Sequence, residues 1–114
     1  YQIDLHPTTE GDNYIDFPAL PFELPLGALI PIRINNLIAG SKNIGSTHVT
    51  NGCYRLHPVE WNIGEVAGNL AAACLAQKCY PREIRNDPKK LKDFQNLLIK
   101  KGIEIQWPKE FLNA

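Results

Sequence analysis

Proline controls the first third of this chain. Residues 7–31 are rich in Pro and Gly, with Pro18, Pro21, Pro25 and Pro31 close together. Proline fixes φ and has no N–H to donate, so this density forbids a regular helix and restricts central strands. The segment reads as extended and partly irregular, with short strand pieces near Phe22–Leu24 and Ala28–Ile30. Such a stretch rarely makes a core of its own and lies across something else. Before it, Tyr1–Leu5 alternates apolar and polar residues, as a half-buried strand does.

The rest of the chain is organised around another proline. Asn35-Asn36-Leu37-Ile38-Ala39-Gly40 reads as a turn and a short strand apolar on both faces, as in a parallel or mixed sheet. Residues 41–52 are polar and contain Gly45 and Gly52, so they read as a loop, with Cys53–Leu56 as a short extended piece. Pro58 suits the first position of a helix, where its missing N–H costs nothing, and Glu60 in the first turn complements the dipole. That helix should run to about Lys78. Gly64 and Gly68 interrupt it at about 1 kcal/mol each against Ala. With Ala67, Ala71 and Ala72 they form a thin face open to another backbone. Asn86-Asp87-Pro88 caps a second helix over Lys89–Lys101, its apolar Leu91, Phe94, Leu97 and Leu98 repeating at helical spacing. Gly102 stops it, and Ile103–Trp107 alternates as a final strand. The expected organisation is one segment in three parts: 1–35 extended, 36–78 strand–loop–helix, and 79–114 helix and strand.

Composition narrows the classes. The 114 residues allow one domain with a modest core. Twelve basic and twelve acidic residues give a formal charge of zero, which argues against nucleic acid and anionic membrane as partners. The run Ile63–Ala76 contains Glu65 and Asn69 and is too short to span a bilayer. Cys53, Cys74 and Cys79 make an odd count that suits reduced thiols and a cytoplasmic setting. The chain opens on Tyr1 and has no Met, which reads as a processed or excised piece.

The chemistry gathers in residues 36–68. Backbone N–H groups of Val59, Glu60 and Trp61 stand at a helix start, where they lack intrahelical partners and the dipole adds roughly half a positive charge. They can donate to the electron-rich edge of a ligand, or simply to solvent. His48, Arg55 and His57 are the candidates for substrate chemistry. Imidazole moves protons near neutral pH, and guanidinium clamps carboxylates or developing negative charge. Each has a structural alternative: His57 as a helix cap, Arg55 as a brace paired with Glu60 or Glu65. His48, Cys53 and His57 match no standard zinc spacing and lack a fourth ligand, so no metal is expected.

Several of these pieces, in order, resemble the C-terminal part of FAD-dependent oxidoreductases of the glutathione-reductase-like superfamily. Pro25–Pro31 is similar to a Pro-Leu-x-Ala-Leu-Ile-Pro stretch, and Asn35–Gly40 to an Asn-Leu-Leu-x-Ala-Gly strand. Ser46-Thr47-His48, Arg55 and Pro58 follow, then Gly64–Gly68 with the alanines at 71–73. The resemblance implies an α+β fragment of an FAD-binding α/β flavoprotein, with short strands and two main helices. It implies FAD as cofactor, a small organic substrate, and the rest of the parent flavoprotein as partner. It places Gly40 and Ser41 by the ribityl and pyrophosphate, and Val59, Glu60 and Trp61 at the flavin. In the related succinate dehydrogenase and fumarate reductase group, a His and an Arg-Leu pair bind a dicarboxylate, and Arg55-Leu56 is similar. Relatives often carry an acidic residue where this chain has Ser41. The Gly-x-Gly-x-x-Gly turn that cradles pyrophosphate is missing from this sequence. The isolated chain is therefore expected to be inactive, to hold FAD weakly, and to self-associate through residues such as Phe17, Leu20 and Phe22. A non-catalytic interaction domain and a ligand-binding module are the rival readings.

Overall fold

The computed structural model describes residues 2–11 and 14–112. Its elements run β1 (Ile3–Leu5), β2 (Ile15–Phe17), a 3-10 turn (Leu26–Leu29), α1 (His48–Tyr54), α2 (His57–Gln77), α3 (Pro81–Asn86), α4 (Pro88–Lys100) and α5 (Lys109–Leu112). The architecture is a small, helix-rich α+β arrangement. The two long helices fall where Pro58 and Asp87-Pro88 put them. Of the 1–5 strand, Tyr1 lies outside the described residues.

Helix α2 is the spine. Glu60, Ile63, Ala67, Leu70 and Cys74 are buried at spacings of three and four, which is one stripe of an α-helix. Two apolar clusters use this stripe. Ile63 and Ala67 pack with Leu29, Ala39 and Ile44. Leu70, Ala73 and Cys74 pack with Ile84 of α3, Phe94 and Leu98 of α4, and Ile103. Leu70 and Ile84 are fully buried, each contributing about 1.5–3 kcal/mol of apolar burial. Lys78 ends α2 in the left-handed region at φ 50°, and Cys79 N–H donates to the Cys74 carbonyl at 3.0 Å. The Asp87 carboxylate caps α4 by accepting from the N–H groups of Lys89 (2.8 Å) and Lys90 (3.2 Å). Gly102, at φ 78°, turns the chain out of α4.

β1 and β2 form an antiparallel pair in the register Ile3↔Phe17, Asp4↔Asp16, Leu5↔Ile15. Two strands alone are marginal; this pair leans on α1. A Cβ on Gly52 would lie 3.2 Å from the Asp4 carbonyl oxygen and 3.0 Å from Leu5 Cδ2, so only glycine lets helix and hairpin meet this closely.

Several sequence expectations need correction. Phe22–Leu24 is not a strand, and Ala28–Ile30 gives way to the 3-10 turn, closed by Ala28 N–H to Pro25 O (2.9 Å) and Ile30 N–H to Gly27 O (3.2 Å). Residues 36–40 are extended, but their tie to a neighbour is Ala39 N–H to Leu29 O (2.8 Å), and no ladder forms. The 41–52 loop and the extended Cys53–Leu56 are replaced in part by α1, because Thr47 and Thr50 build a reciprocal cap: Thr47 N–H to Thr50 Oγ1 (2.9 Å) and Thr50 N–H to Thr47 Oγ1 (3.2 Å). Residues 103–107 are irregular. They are pinned by Asn62 Nδ2 donating to Glu104 O (3.3 Å) and Trp107 Nε1 donating to Phe22 O (2.6 Å). In each case alternation or apolarity marked a half-buried segment, yet among the described residues no strand edge stands beside it to complete a ladder.

The radius of gyration, 15.8 Å, exceeds the roughly 13 Å of a compact chain of this length. Leu20, Ile32 and Leu75 are each at least 80% exposed. Phe17 is likewise open, whereas Phe22 is partly covered by Tyr54, ring centroids 4.9 Å apart.

Two outcomes test this packing. Gly52→Ala should lower stability by a net of about 1–2 kcal/mol, the clash outweighing alanine's helix preference. Gly68→Ala should raise it by up to about 1 kcal/mol, since nothing lies within 4 Å of a Cβ there; urea unfolding of both variants measures the contrast. Burial in the α2–α4 core, with Cys79 as a lesser cause, pushes the Cys74 thiol up to about 11. Because the thiolate is the nucleophile, native Cys74 should resist iodoacetamide at pH 8, react faster as pH rises toward 11, and label readily once the chain is unfolded. Mass spectrometry of timed labelling reads this out.

Candidate functional site

The extended segment 36–40 ends beside the first turns of α2. Gly64 makes the approach possible, since a Cβ there would lie 3.4 Å from the Gly40 carbonyl oxygen. The thin face read from the sequence is thus divided: Gly64 faces Gly40, whereas Gly68 and Ala72 face outward with Trp61 and Leu75. Gly40 itself is exposed. The Ser41 N–H is engaged by Asn43 Oδ1 at 3.2 Å in a local turn.

Helix α2 starts one residue before its proline. Leu56 is the N-cap and offers no side-chain acceptor, His57 is the first helical residue, and Pro58 follows. This corrects two expectations. His57 is not a cap, and of the three amides expected to be free only that of Val59 is. The Glu60 N–H donates to Leu56 O at 2.9 Å, and the Trp61 N–H has the His57 carbonyl four residues back as its helical acceptor. The unfilled donors at this end are therefore the N–H groups of His57 and Val59.

Glu60 takes part through its carboxylate. It lies on the buried stripe of α2, only 9% exposed, and its Oε1 has no hydrogen-bond partner among the described residues. Lys42 Nζ stands 3.3 Å from that oxygen as an ion pair without hydrogen-bond alignment. The helix dipole also favours a carboxylate in this turn. The sequence contained the signal for this burial, since Glu60 shares the spacing of Ile63, Ala67 and Leu70.

Arg55 is held by a residue that sequence reasoning missed. Its Nη2 donates to both the carbonyl (3.0 Å) and Oδ2 (2.9 Å) of Asp4, so the bracing partner is Asp4 and not Glu60 or Glu65. His6 Nε2 approaches the same Oδ2 at 3.1 Å. The arrangement has a local cause. The hairpin register sets Asp4 opposite Asp16, a like-charge pair that is unfavourable, and the guanidinium offsets it. Tyr14 Oη donates to Asp16 at 3.4 Å, and Tyr14's pKa is raised by desolvation and then by Asp16 and Asp4. Arg55 keeps its Nη1 and Nε donors, with its side chain 36% exposed.

His48 and His57 are both exposed and make no hydrogen bond or ion pair among the described residues; the His57 ring lies 6.5 Å from that of Trp61. Trp61 is 69% exposed. Among the described residues no three Cys, His, Asp or Glu side chains gather as metal ligands, so His48, Cys53 and His57 do not converge. No helix among them is long and apolar enough to cross a membrane.

These residues fit one edge of a flavin cofactor. Two unfilled N–H donors at the start of a 21-residue helix suit an electron-rich rim, and the Gly40–Gly64 approach brings a bare backbone beside them. A phosphate-cradling glycine turn is not among the elements. The Lys42–Glu60 pair can be tested directly. Lys42→Ala should destabilise by about 1 kcal/mol, because it leaves a buried carboxylate unpaired. Adding Glu60→Gln should recover most of that loss. A double-mutant cycle in urea should give a coupling of about 0.5–1 kcal/mol; additive effects would show that the pair does not interact.

Comparison with known proteins identifies the family. No curated protein and no solved structure matches the chain. A family model described as FAD dependent oxidoreductase matches residues 1–98, which takes in the hairpin, the 36–40 segment, α1 to α3 and most of α4. The chain therefore belongs to the FAD dependent oxidoreductase family.

Proposed function

We propose that this chain supplies one wall of the flavin and substrate site of an FAD-dependent oxidoreductase of the glutathione-reductase-like kind. The observation that carries the reading is the close approach of Gly40 to Gly64 beside the unfilled N–H groups of His57 and Val59. In this reading Gly40 and Ser41 lie by the ribityl and pyrophosphate, and the Val59 and His57 N–H groups hold the pyrimidine edge. Glu60, tied to Lys42, fixes the end of the 36–40 segment against the helix.

FAD, when bound, supplies the redox chemistry by accepting a hydride or an electron pair from a small organic substrate. The protein's own residues orient and exclude. Arg55, with one nitrogen committed to Asp4, presents its remaining donors to an anionic group, and Asp4 sets its direction. The exposed imidazoles of His48 and His57 are placed to carry protons to or from the substrate. The outward face of α2, with Trp61, Gly68, Ala72 and Leu75, lies against the rest of the flavoprotein and is otherwise left to self-association. The 114 residues alone are inactive and hold FAD weakly, because no glycine-rich turn in them cradles the pyrophosphate.

Flavin fluorescence tests the reading at two levels. Titration of the isolated chain with FAD should show no submicromolar stoichiometric binding. In the complete flavoprotein, Gly64→Val should lower the flavin bound per protein while far-ultraviolet dichroism is unchanged. Arg55→Ala should keep its flavin but slow flavin reduction by substrate by roughly two to three orders of magnitude. Full flavin occupancy in the Gly64 variant would refute the wall, and wild-type reduction in the Arg55 variant would leave Arg55 a brace only.

A further inference from the structure

A cleft of about 560 Å³ opens along the flank of α2, beginning at Pro58 and Val59 in its first turn. Its floor is Val59, Ile63 and Val66 of α2, and Leu29 and Leu98 close its sides. The segment 104–108 crosses it as a strap, tied down by the Asn62–Glu104 and Trp107–Phe22 hydrogen bonds described above. The volume lies within the roughly 300–1,000 Å³ of small-molecule sites, and apolar walls with a few polar groups are what such sites have.

Charge identifies the class of occupant. Among the lining residues the charged side chains are Glu23 and Glu104, both exposed at the rim, and no Lys, Arg or His lines the cleft. The chain as a whole has equal numbers of acidic and basic residues, so this one-sided rim is local. Three aromatic rings, Phe22, Trp107 and Phe111, share the lining, with Trp107 and Phe111 edge to face at 6.2 Å. A cleft that combines rim carboxylates with aromatic lining favours a cation, through charge and through the ring quadrupole.

We propose that this cleft binds an apolar ammonium compound, its hydrocarbon body against Ile63, Val66 and Leu98 and its cationic head at the Glu23–Glu104 rim. The cleft shares Val59 with the proposed flavin wall, but its occupant is recognised at the Glu23–Glu104 rim and its test needs no FAD. The isolated chain carrying Trp61→Phe, so that Trp107 is the reporter, is titrated with n-octylammonium, n-octanol and n-octanoate below their micellar concentrations. Octylammonium should give a saturable fluorescence change about tenfold tighter than octanoate, with octanol between, and the difference should shrink as salt screens the rim. Glu23→Gln with Glu104→Gln, both at exposed positions, should remove the preference and leave octanol binding intact. The absence of a saturable change, equal binding of the two ions, or a preference that survives in the double variant would each overturn the assignment.

Discussion

The buried stripe of α2 is the interaction on which the rest of this structure depends. Ile63 and Ala67 anchor the 3-10 turn and the segment ending at Gly40, while Leu70, Ala73 and Cys74 anchor α3, α4 and Ile103. Neither cluster would make a core alone. Each is a small apolar group that is stable because a 21-residue helix joins them. The propensity of such a helix is modest, with Gly64 and Gly68 near its middle, so tertiary packing holds it more than intrinsic preference does. The candidate site inherits its geometry from this arrangement. The start of α2 is fixed because its far half is buried, and the Gly40 segment is fixed because Ala39 and Leu29 share that stripe.

Electrostatics ties the outer pieces to the spine. Lys42 and Glu60 join the loop after Gly40 to the first turn of α2, and Arg55 and Asp4 join the junction of α1 and α2 to the hairpin. In each pair the carboxylate is the buried member, so removing the cation leaves an acid that water reaches poorly. Such contacts give direction more than net stability. They orient the two elements that border the free helix end, and this links the packing of an undersized fold to a chemistry that needs fixed donors.

The two long helices were legible in the sequence, whereas α1, α3 and α5 were not. Pro58, the Asp87 cap and Gly102 mark ends through local backbone chemistry, which works wherever the segment lies in space. The strands were legible only as a tendency. Leu37–Gly40 and Ile103–Trp107 have the composition of strands, but a strand also needs an edge to pair with, and among the described residues none stands there. Helix α1 was hidden because its first residues are polar; the Thr47–Thr50 reciprocal cap that starts it lacks the Glu or Gln that usually marks such a box. Around the start of α2, Gly40, Val59 and Arg55 are singled out by residue type and position alone, and their roles at a flavin are a proposal. The role of Asp4 could not be, since it lies 51 residues from Arg55.

The sequence by itself determined where the long helices begin and end, that residues 7–31 hold no α-helix, and that a strand-like segment ends in glycine before a proline-led helix. All of these are local consequences of dihedral limits, caps and periodicity. Only the tertiary structure decided which free amides remain at that helix, that Glu60 turns inward to meet Lys42, that Arg55 is held by the hairpin, and that an acidic-rimmed cleft opens beneath residues 104–108. Those features arise where segments distant in sequence meet, and their free energy comes from burial and charge pairing that no single segment contains.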